Sequence, residues 1–340
     1  MKPPTPLAPR PKCMIIGVLS MLACLAPVAD AETEKPKQTW QVEKIDGIEY
    51  LPLSQVQTFY HLDKRQQAGT KIRLENERIA ISFEAGSTEC LINGVRFVLL
   101  REIKNSGKNA HVSREDLSYI LEPVLRPNFI RNTGEFKTVI LDPAHGGKNP
   151  GLTNSQGTEA GFALKVALKA KELLQDKGYR VVMTRDEDTD LLLQERVELA
   201  NKIGEAAVFV SISFESGSKQ ESGIETLPLT QTEAGFNEFH SASMALATAI
   251  HGNLVRTLGK HSRDRGIKQV RHSVLAAIKH PAIVIEGGYM THPYESRLIS
   301  NEIYQNTIAQ SITHGVVKYQ EALKPHPKPA TPADEEKAAE

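Results

Sequence analysis

Between Lys137 and Tyr319, short apolar segments typical of buried strands alternate with longer segments of helical periodicity. Leu246, Ile250 and Leu254, for example, recur every four residues and therefore share one face of a helix. This alternation favours an α/β fold with a mostly parallel, twisted sheet flanked by helices. The predicted strands cover 138–141, 180–184, 207–213, 223–226 and 282–286, and the predicted helices lie near 159–175, 192–203, 238–258 and 301–323. We assign this domain to residues 137–322.

The region before it, 39–131, consists of short segments in which apolar and polar residues alternate. A period of two, as at 79–83, is typical of half-buried strands. Asn93-Gly94 separates two such segments and predicts a tight hairpin turn.

Two short helices are also predicted in this region, one near 53–60 and one that begins after Ser113. Asp116 follows Ser113 by three residues, which is the spacing of a helix cap. We therefore predict a small α+β module with a structural or binding role, and we find no catalytic constellation in it.

The two ends of the chain have compositions of their own. Residues 1–31 are predicted to be a signal peptide, with a basic start, an apolar segment at 14–28 and a small-x-small cleavage site at 29–31. The apolar segment is short for a spanning helix, so no transmembrane helix is expected after cleavage. Residues 32–38 are predicted to form a linker, and 323–340 a disordered tail.

Charge and cysteine content exclude several classes of protein. The 41 basic and 41 acidic residues balance, which argues against a protein that binds nucleic acid through bulk charge. Cys13 and Cys24 fall within the predicted signal peptide, and we do not expect lipidation at Cys24. Only Cys90 would remain, so an intrachain disulfide and a thiolate zinc site are excluded.

Four positions in the α/β domain place polar groups where strands end or helices begin. His145 follows a predicted strand on a glycine-rich turn, and Glu159 opens a predicted helix. Ser213 ends the segment at 207–213, and Glu286 ends that at 282–286. Ligand sites in open α/β sheets lie at this edge, and a carboxylate that ends a buried strand is costly without a partner or a role.

Together these segments resemble the zinc-dependent N-acetylmuramoyl-L-alanine amidases, which cleave the amide between muramic acid and the first L-alanine of the peptidoglycan stem peptide. The resemblance covers more than half of the chain, and the small module is similar to the N-terminal domain of copper amine oxidases. The motifs that carry the amidase resemblance are LDPAHGG at 141–147, GTE at 157–159, MTRD at 183–186, ER at 195–196, AN at 200–201, VSI at 210–212, DRGI at 264–267, PAIVIEGGY at 281–289 and HP at 292–293.

The resemblance implies that His145 and Glu159 bind one zinc ion and that Glu286 is the catalytic carboxylate. The family's third ligand, a histidine after the VSI segment, is replaced by Ser213. Catalytic zinc takes three protein ligands and one open position, and a serine hydroxyl is a poor ligand. Glu215, two residues further along the strand, is a candidate third ligand because it would point to the same side.

Three interpretations remain open. Glu215 completes the metal site, or zinc binds weakly with slow activity, or the chain is a catalytically inactive protein that binds peptidoglycan or regulates other hydrolases. A serine hydrolase using Ser211 or Ser213 is disfavoured because no Gly-x-Ser-x-Gly elbow is present.

Three arginines are candidates for forked hydrogen bonds to stem-peptide carboxylates. Arg271 is favoured as the substrate-binding residue, Arg185 is a second candidate, and Arg196 is expected to have a structural role. The histidines expected only at the surface or as helix caps are His251, His261, His280, His292 and His314. The overall expectation is a peptidoglycan amidase exported to the periplasm or cell envelope, with no activating partner identified.

Overall fold

The computed structural model describes residues 40–106, 109–131, 133–231 and 237–324. The predicted signal peptide (1–31) and linker (32–38) lie outside the described residues, as does the predicted tail from 325 onwards. In the part of the chain that is described, no helix combines the length and apolar character needed to cross a membrane.

The strands are bounded as follows: β1 Glu43–Ile45, β2 Ile48–Pro52, β3 Lys64–Ala68, β4 Lys71–Glu75, β5 Ala80–Glu84, β6 Glu89–Ile92, β7 Val95–Val98, β8 Lys104–Ser106, β9 Asn109–Ser113, β10 Thr138–Pro143, β11 Thr153–Asn154, β12 Gly157–Thr158, β13 Arg180–Met183, β14 Ala207–Glu215, β15 Ile224–Pro228, β16 Asp264–Ile267 and β17 Ala282–Tyr289. The α-helices are α1 Leu53–Phe59, α2 Arg114–Asp116, α3 Glu122–Leu125, α4 Glu159–Asp176, α5 Leu193–Asn201, α6 His240–Leu258, α7 Ser273–Ala277, α8 Pro293–Ile299 and α9 Glu302–Ala322. A π-helical turn, Leu117–Leu121, joins α2 to α3, and a 3₁₀ turn, Pro127–Phe129, follows α3.

The central sheet of the predicted α/β domain contains parallel strands at its middle. β10 pairs in parallel with β13 and β14, and β14 pairs in parallel with β17. β15 runs antiparallel to β17, so the sheet is mixed. The α/β fold with flanking helices that the sequence predicted is confirmed, and the long helices begin and end close to the predicted positions.

Each face of this sheet has its own apolar core, because neighbouring side chains along a buried strand point to opposite faces. Val139 and Val210 belong to a cluster that includes residues of α4, α6 and α9. Ile140, Phe209 and Val284 belong to a second cluster, which includes residues of α7. Burial on both faces explains why the strands read as nearly continuous apolar runs.

The sheet continues beyond the α/β region into the N-terminal module. β16 pairs with β7 in parallel, and β7 to β3 follow as an antiparallel meander, giving eleven strands among the described residues. The strands β1, β2, β9 and β8 form a separate sheet. The described residues from Trp40 onwards therefore form one compact unit that shares a sheet across the predicted boundary at 131–137.

Two local predictions in the module are confirmed. Asn93 and Gly94 form the two-residue turn between β6 and β7, with φ values of 50° and 81°. The hydroxyl of Ser113 accepts a hydrogen bond from the backbone N–H of Asp116 and so caps α2. Both features could be predicted from a few adjacent residues, because turns and helix caps depend on the residues that form them.

Candidate active site

His145 lies on a tight loop immediately after β10. Its φ is 58°, and the two glycines after it, Gly146 and Gly147, also have positive φ values of 131° and 56°. The loop is closed by paired backbone hydrogen bonds between Gly146 and Asn149, and Nδ1 of His145 lies 3.1 Å from Oδ1 of Asn149. This contact orients the ring so that Nε2 faces Glu159.

Two buried arginines hold this loop in place through hydrogen bonds to its backbone carbonyls. Arg196 donates to Asp142, to the carbonyl of Pro143 and, across 2.6 Å, to the carbonyl of His145. Arg185 donates to backbone carbonyls, including that of Ala144 at 2.8 Å. The structural role expected for Arg196 is confirmed. Arg185 is buried, and its guanidinium donates hydrogen bonds to backbone carbonyls of the protein itself. The prediction that Arg185 could bind the stem peptide was therefore wrong.

Glu159 is the first residue of α4, and its carboxylate receives donors on both oxygens. Oε1 accepts from the hydroxyl of Ser213 at 2.7 Å and from the N–H of Phe214. Oε2 accepts from the N–H of Leu152 and lies 3.2 Å from Nε2 of His145. Burial acts to raise the pKa of Glu159, but the hydrogen bonds from His145 and Ser213 outweigh it and lower the pKa; in turn Glu159 raises the pKa of His145.

Gly151 makes room for this pair and was not singled out from the sequence. Its φ is 65°, and a Cβ at this position would lie 2.5 Å from Oε2 of Glu159 and 2.7 Å from Cδ2 of His145. A glycine eight residues before a helical glutamate carries no sequence signal by itself, because the constraint arises only from the folded contact.

Glu286 lies on β17 opposite Ser213 of β14 and opposite Glu225 of β15. Its side chain is 8% exposed, and Oε2 has no hydrogen-bond partner among the described residues. Burial raises the pKa of Glu286 well above the ordinary carboxyl value, and the negative charges of Glu215, Glu159 and Glu225 raise it further. The site thus holds a carboxyl group that ionises less readily than an exposed glutamate.

The residues present do not form a complete zinc site. His145 and Glu159 are donors of the type that zinc prefers, but the position beside them is the hydroxyl of Ser213. Within 40–106, 109–131, 133–231 and 237–324, no group of three or more His, Cys, Asp or Glu side chains is arranged to hold a metal ion.

Glu215 follows an irregularity in the pairing of β14 with β17, which shifts the register between Ser213 and Glu215. Its Oε1 accepts from the backbone N–H of Ser216. The extra residue lies in β17, because Glu286 to Tyr289 spans three steps where Ser213 to Glu215 spans two. The alternation along β14 is therefore kept, and the orientation predicted for Glu215 stays a prediction.

The remaining predicted residues lie at the margin of the site or away from it. Arg271 is exposed in the segment between β16 and α7. His251 is fully buried, where it contacts Thr226 and Asp264, and His280 is buried too, so their expected surface positions were wrong. His292 caps α8, as expected.

Comparison with known proteins places this site in a family. Residues 139–318, more than half of the chain, match the Amidase_3 family, described as N-acetylmuramoyl-L-alanine amidase. The uncharacterized protein YqiI of Bacillus subtilis (strain 168) is 33% identical over 185 residues, which are 54% of this chain and 85% of that protein. The germination-specific N-acetylmuramoyl-L-alanine amidase of the same organism is 29% identical over 198 residues, covering 54% and 79%.

Among solved structures, the N-acetylmuramoyl-L-alanine amidase from Clostridium difficile 630 is 34% identical, with a TM-score of 0.49 and coverage of 55% of this chain and 98% of that one. The sequence match extends from β10, which precedes His145, to α9, and so includes every residue of the site described above. This chain belongs to the N-acetylmuramoyl-L-alanine amidase family of enzymes, which act on peptidoglycan.

Proposed function

We propose that this protein hydrolyses the amide between N-acetylmuramic acid and the L-alanine of the peptidoglycan stem peptide. The observation that carries the proposal is the convergence of His145, Glu159 and Glu286 at the carboxyl edge of the parallel strands, together with the family match over 139–318. That edge is where α/β sheets bind and convert their ligands.

Glu286 is the proposed catalytic residue. Hydrolysis of an amide needs a group that accepts a proton from water and a group that protonates the leaving amine, and one carboxyl can do both in turn. Burial and the neighbouring carboxylates raise the pKa of Glu286, so this carboxyl holds a proton more firmly than an exposed glutamate would, which suits it to carry the proton from water to the leaving amine.

Zinc is the proposed cofactor, as one ion with His145 and Glu159 as ligands. Glu215 is the proposed third ligand, because its charge acts on Glu286 and Ser213 offers only a hydroxyl. Reaching the ion would require Glu215 to leave its contact with Ser216. Replacing Glu215 by alanine is expected to strip the metal, and zinc content equal to that of the unaltered protein would remove Glu215 from the ligand set.

The remaining assignments follow from the same function. Arg271 is proposed to contact the stem peptide, and the module at 39–131 to bind the wall. The protein is proposed to be exported to the periplasm or cell envelope, with peptidoglycan as its partner.

One observation favours a second candidate function, a peptidoglycan-binding or regulatory protein without hydrolytic activity. Ser213 takes the ligand position and directs its hydroxyl to Glu159, so that the two potential ligands are already paired with neighbouring side chains. Such a protein would bind peptidoglycan without a metal ion.

The two candidates are separated by measuring zinc content and release of dye from labelled peptidoglycan by the mature protein. Bound zinc with release that a chelator abolishes supports the amidase, and Glu286→Gln should abolish release while leaving the zinc in place. Absence of zinc and of release, with sedimentation of the protein on insoluble peptidoglycan, supports the binding protein.

A further inference from the structure

A second buried carboxylate lies beside Glu286 and forms salt bridges with two cationic side chains. Glu225 is directly paired with Glu286 across β15 and β17 and is 5% exposed. It accepts hydrogen bonds from the hydroxyl of Tyr289 at 3.0 Å and from Nζ of Lys268, and Nε of Arg265 lies 3.3 Å away. Directly paired residues on neighbouring strands are about 5 Å apart, so these cations adjoin the proposed reaction centre.

Arg265 is held in place along the whole length of its side chain. Its aliphatic part lies against Gly223, where an added Cβ would come within 2.6 Å of Cγ. Its guanidinium carbon is 4.9 Å from the centroid of the Tyr289 ring, a cation–π distance. With the salt bridge to Glu225, these contacts fix the guanidinium before any ligand arrives.

The two Nη atoms of this guanidinium, its outer fork, are available to bind a ligand. Nε of Arg265 is buried, while the side chain as a whole is 24% exposed. Neither Nη atom donates a hydrogen bond to any residue in the described ranges. Glu225 is shared between Lys268 and Arg265, so its single charge does not neutralise both cations, and the Nη atoms of Arg265 remain available as donors.

Other carboxylates near this fork accept hydrogen bonds from backbone N–H groups of their own loop. Glu221 lies close enough for Arg265 to lower its pKa, but its carboxylate accepts from the backbone N–H of Ser218. Glu215 accepts from the N–H of Ser216. The fork is therefore a fixed donor without a hydrogen-bond partner among the residues that the structure describes.

We propose that Arg265 binds a backbone carboxylate of the stem peptide and makes the site selective for acidic over amidated stems; this rests on the proposed function. A guanidinium fork matches a carboxylate with two parallel hydrogen bonds, and it discriminates against an amide because an NH₂ group cannot accept them. A group already fixed by its surroundings binds with little loss of side-chain entropy. The carboxylate nearest the scissile bond is the α-carboxyl of the D-glutamate that follows L-alanine.

The test uses the tripeptide L-Ala-γ-D-Glu-L-Lys and the same peptide with the glutamate α-carboxyl converted to an amide. Binding of each to the mature protein is measured by NMR titration, which needs no hydrolysis. We expect the acid form to bind about tenfold more tightly, the order of one charge-assisted hydrogen bond. Arg265→Gln should abolish the preference, and Arg265→Lys, which keeps the charge and the partner of Glu225, should retain part of it.

Arg180→Gln is the matched control, because Arg180 also pairs with one glutamate, Glu205, but lies at the first residue of β13 and is exposed. It should leave the preference unchanged. Equal binding of acid and amide, no binding of either, or an unchanged preference in Arg265→Gln would overturn the role of Arg265. Selective binding without dye release would instead support the role of Arg265 and contradict the proposal that the protein hydrolyses peptidoglycan.

Discussion

Ser213 donates its hydroxyl hydrogen to Oε1 of Glu159 across 2.7 Å, at the position where the amidase family resemblance places a metal-binding histidine. Oε2 of the same carboxylate faces His145 at 3.2 Å. The side chains proposed to bind zinc are therefore joined to one another and to a serine. Each of these side chains therefore has a hydrogen-bonding partner within the protein.

Ser213→His should increase zinc affinity, because an imidazole is a preferred zinc ligand and a hydroxyl is not. The gain should exceed the roughly tenfold to hundredfold contributed by outer-shell partners, since this change adds a direct ligand. Zinc bound per protein after dialysis measures it. Ser216→His, which places an imidazole three residues further along at an exposed position, should bind no additional zinc. Equal zinc in both variants would mean that the site lacks more than one ligand.

Gly151→Ala should disturb the His145–Glu159 pair. The backbone strain of a left-handed conformation costs about 1–3 kcal/mol in a non-glycine residue, and the new Cβ would also collide with both side chains. Gly178→Ala is the control for strain alone, because Gly178 has a φ of 84° but nothing within 4 Å of the added Cβ. Both variants should lose stability in thermal unfolding through strain, and Gly151→Ala should lose more because of the collision. Only Gly151→Ala should also lose peptidoglycan hydrolysis, by about a hundredfold for an ångström of displacement.

The elements that the sequence predicted well are those governed by local pattern. The helix predicted near 301–323 forms at Glu302–Ala322, and the strand predicted at 282–286 begins at Ala282, because apolar periodicity reports burial directly. The pairing of β16 with β7 was not predicted, since it joins Ile267 to Phe97 across a long sequence separation. The same limit hid the contacts of Glu225 and Ser213, each of which depends on a partner distant in the chain.

Arg196→Ala should destabilise the fold and the His145 loop together. Arg196 and Asp142 are both buried, and removing Arg196 leaves a buried carboxylate whose remaining donors among the described residues are Thr184 and Ser211. Loss of one member of a buried ion pair costs about 3–5 kcal/mol, so denaturant unfolding should show a large drop in stability. Arg180→Ala, which breaks the exposed pair with Glu205, should cost about 1 kcal/mol or less. Similar losses in the two variants would mean that the buried pair contributes no more than a surface one.

Glu286→Gln should abolish hydrolysis and, in the presence of a chelator, make stability less dependent on pH. Burial raises the pKa of Glu286 above its ordinary value of 4.5, so the folded protein holds this proton more tightly than the unfolded chain. The stability that this group contributes is therefore fully present below the ordinary pKa and is lost as pH rises towards the raised value. Glutamine cannot ionise. The melting temperature of Glu286→Gln, relative to that of the unaltered protein, should therefore increase as pH rises above about 4.5. Glu77→Gln, at an exposed position in the module, should show no such trend, and a difference for Glu286→Gln that stays constant with pH would mean that Glu286 is not held protonated by the fold.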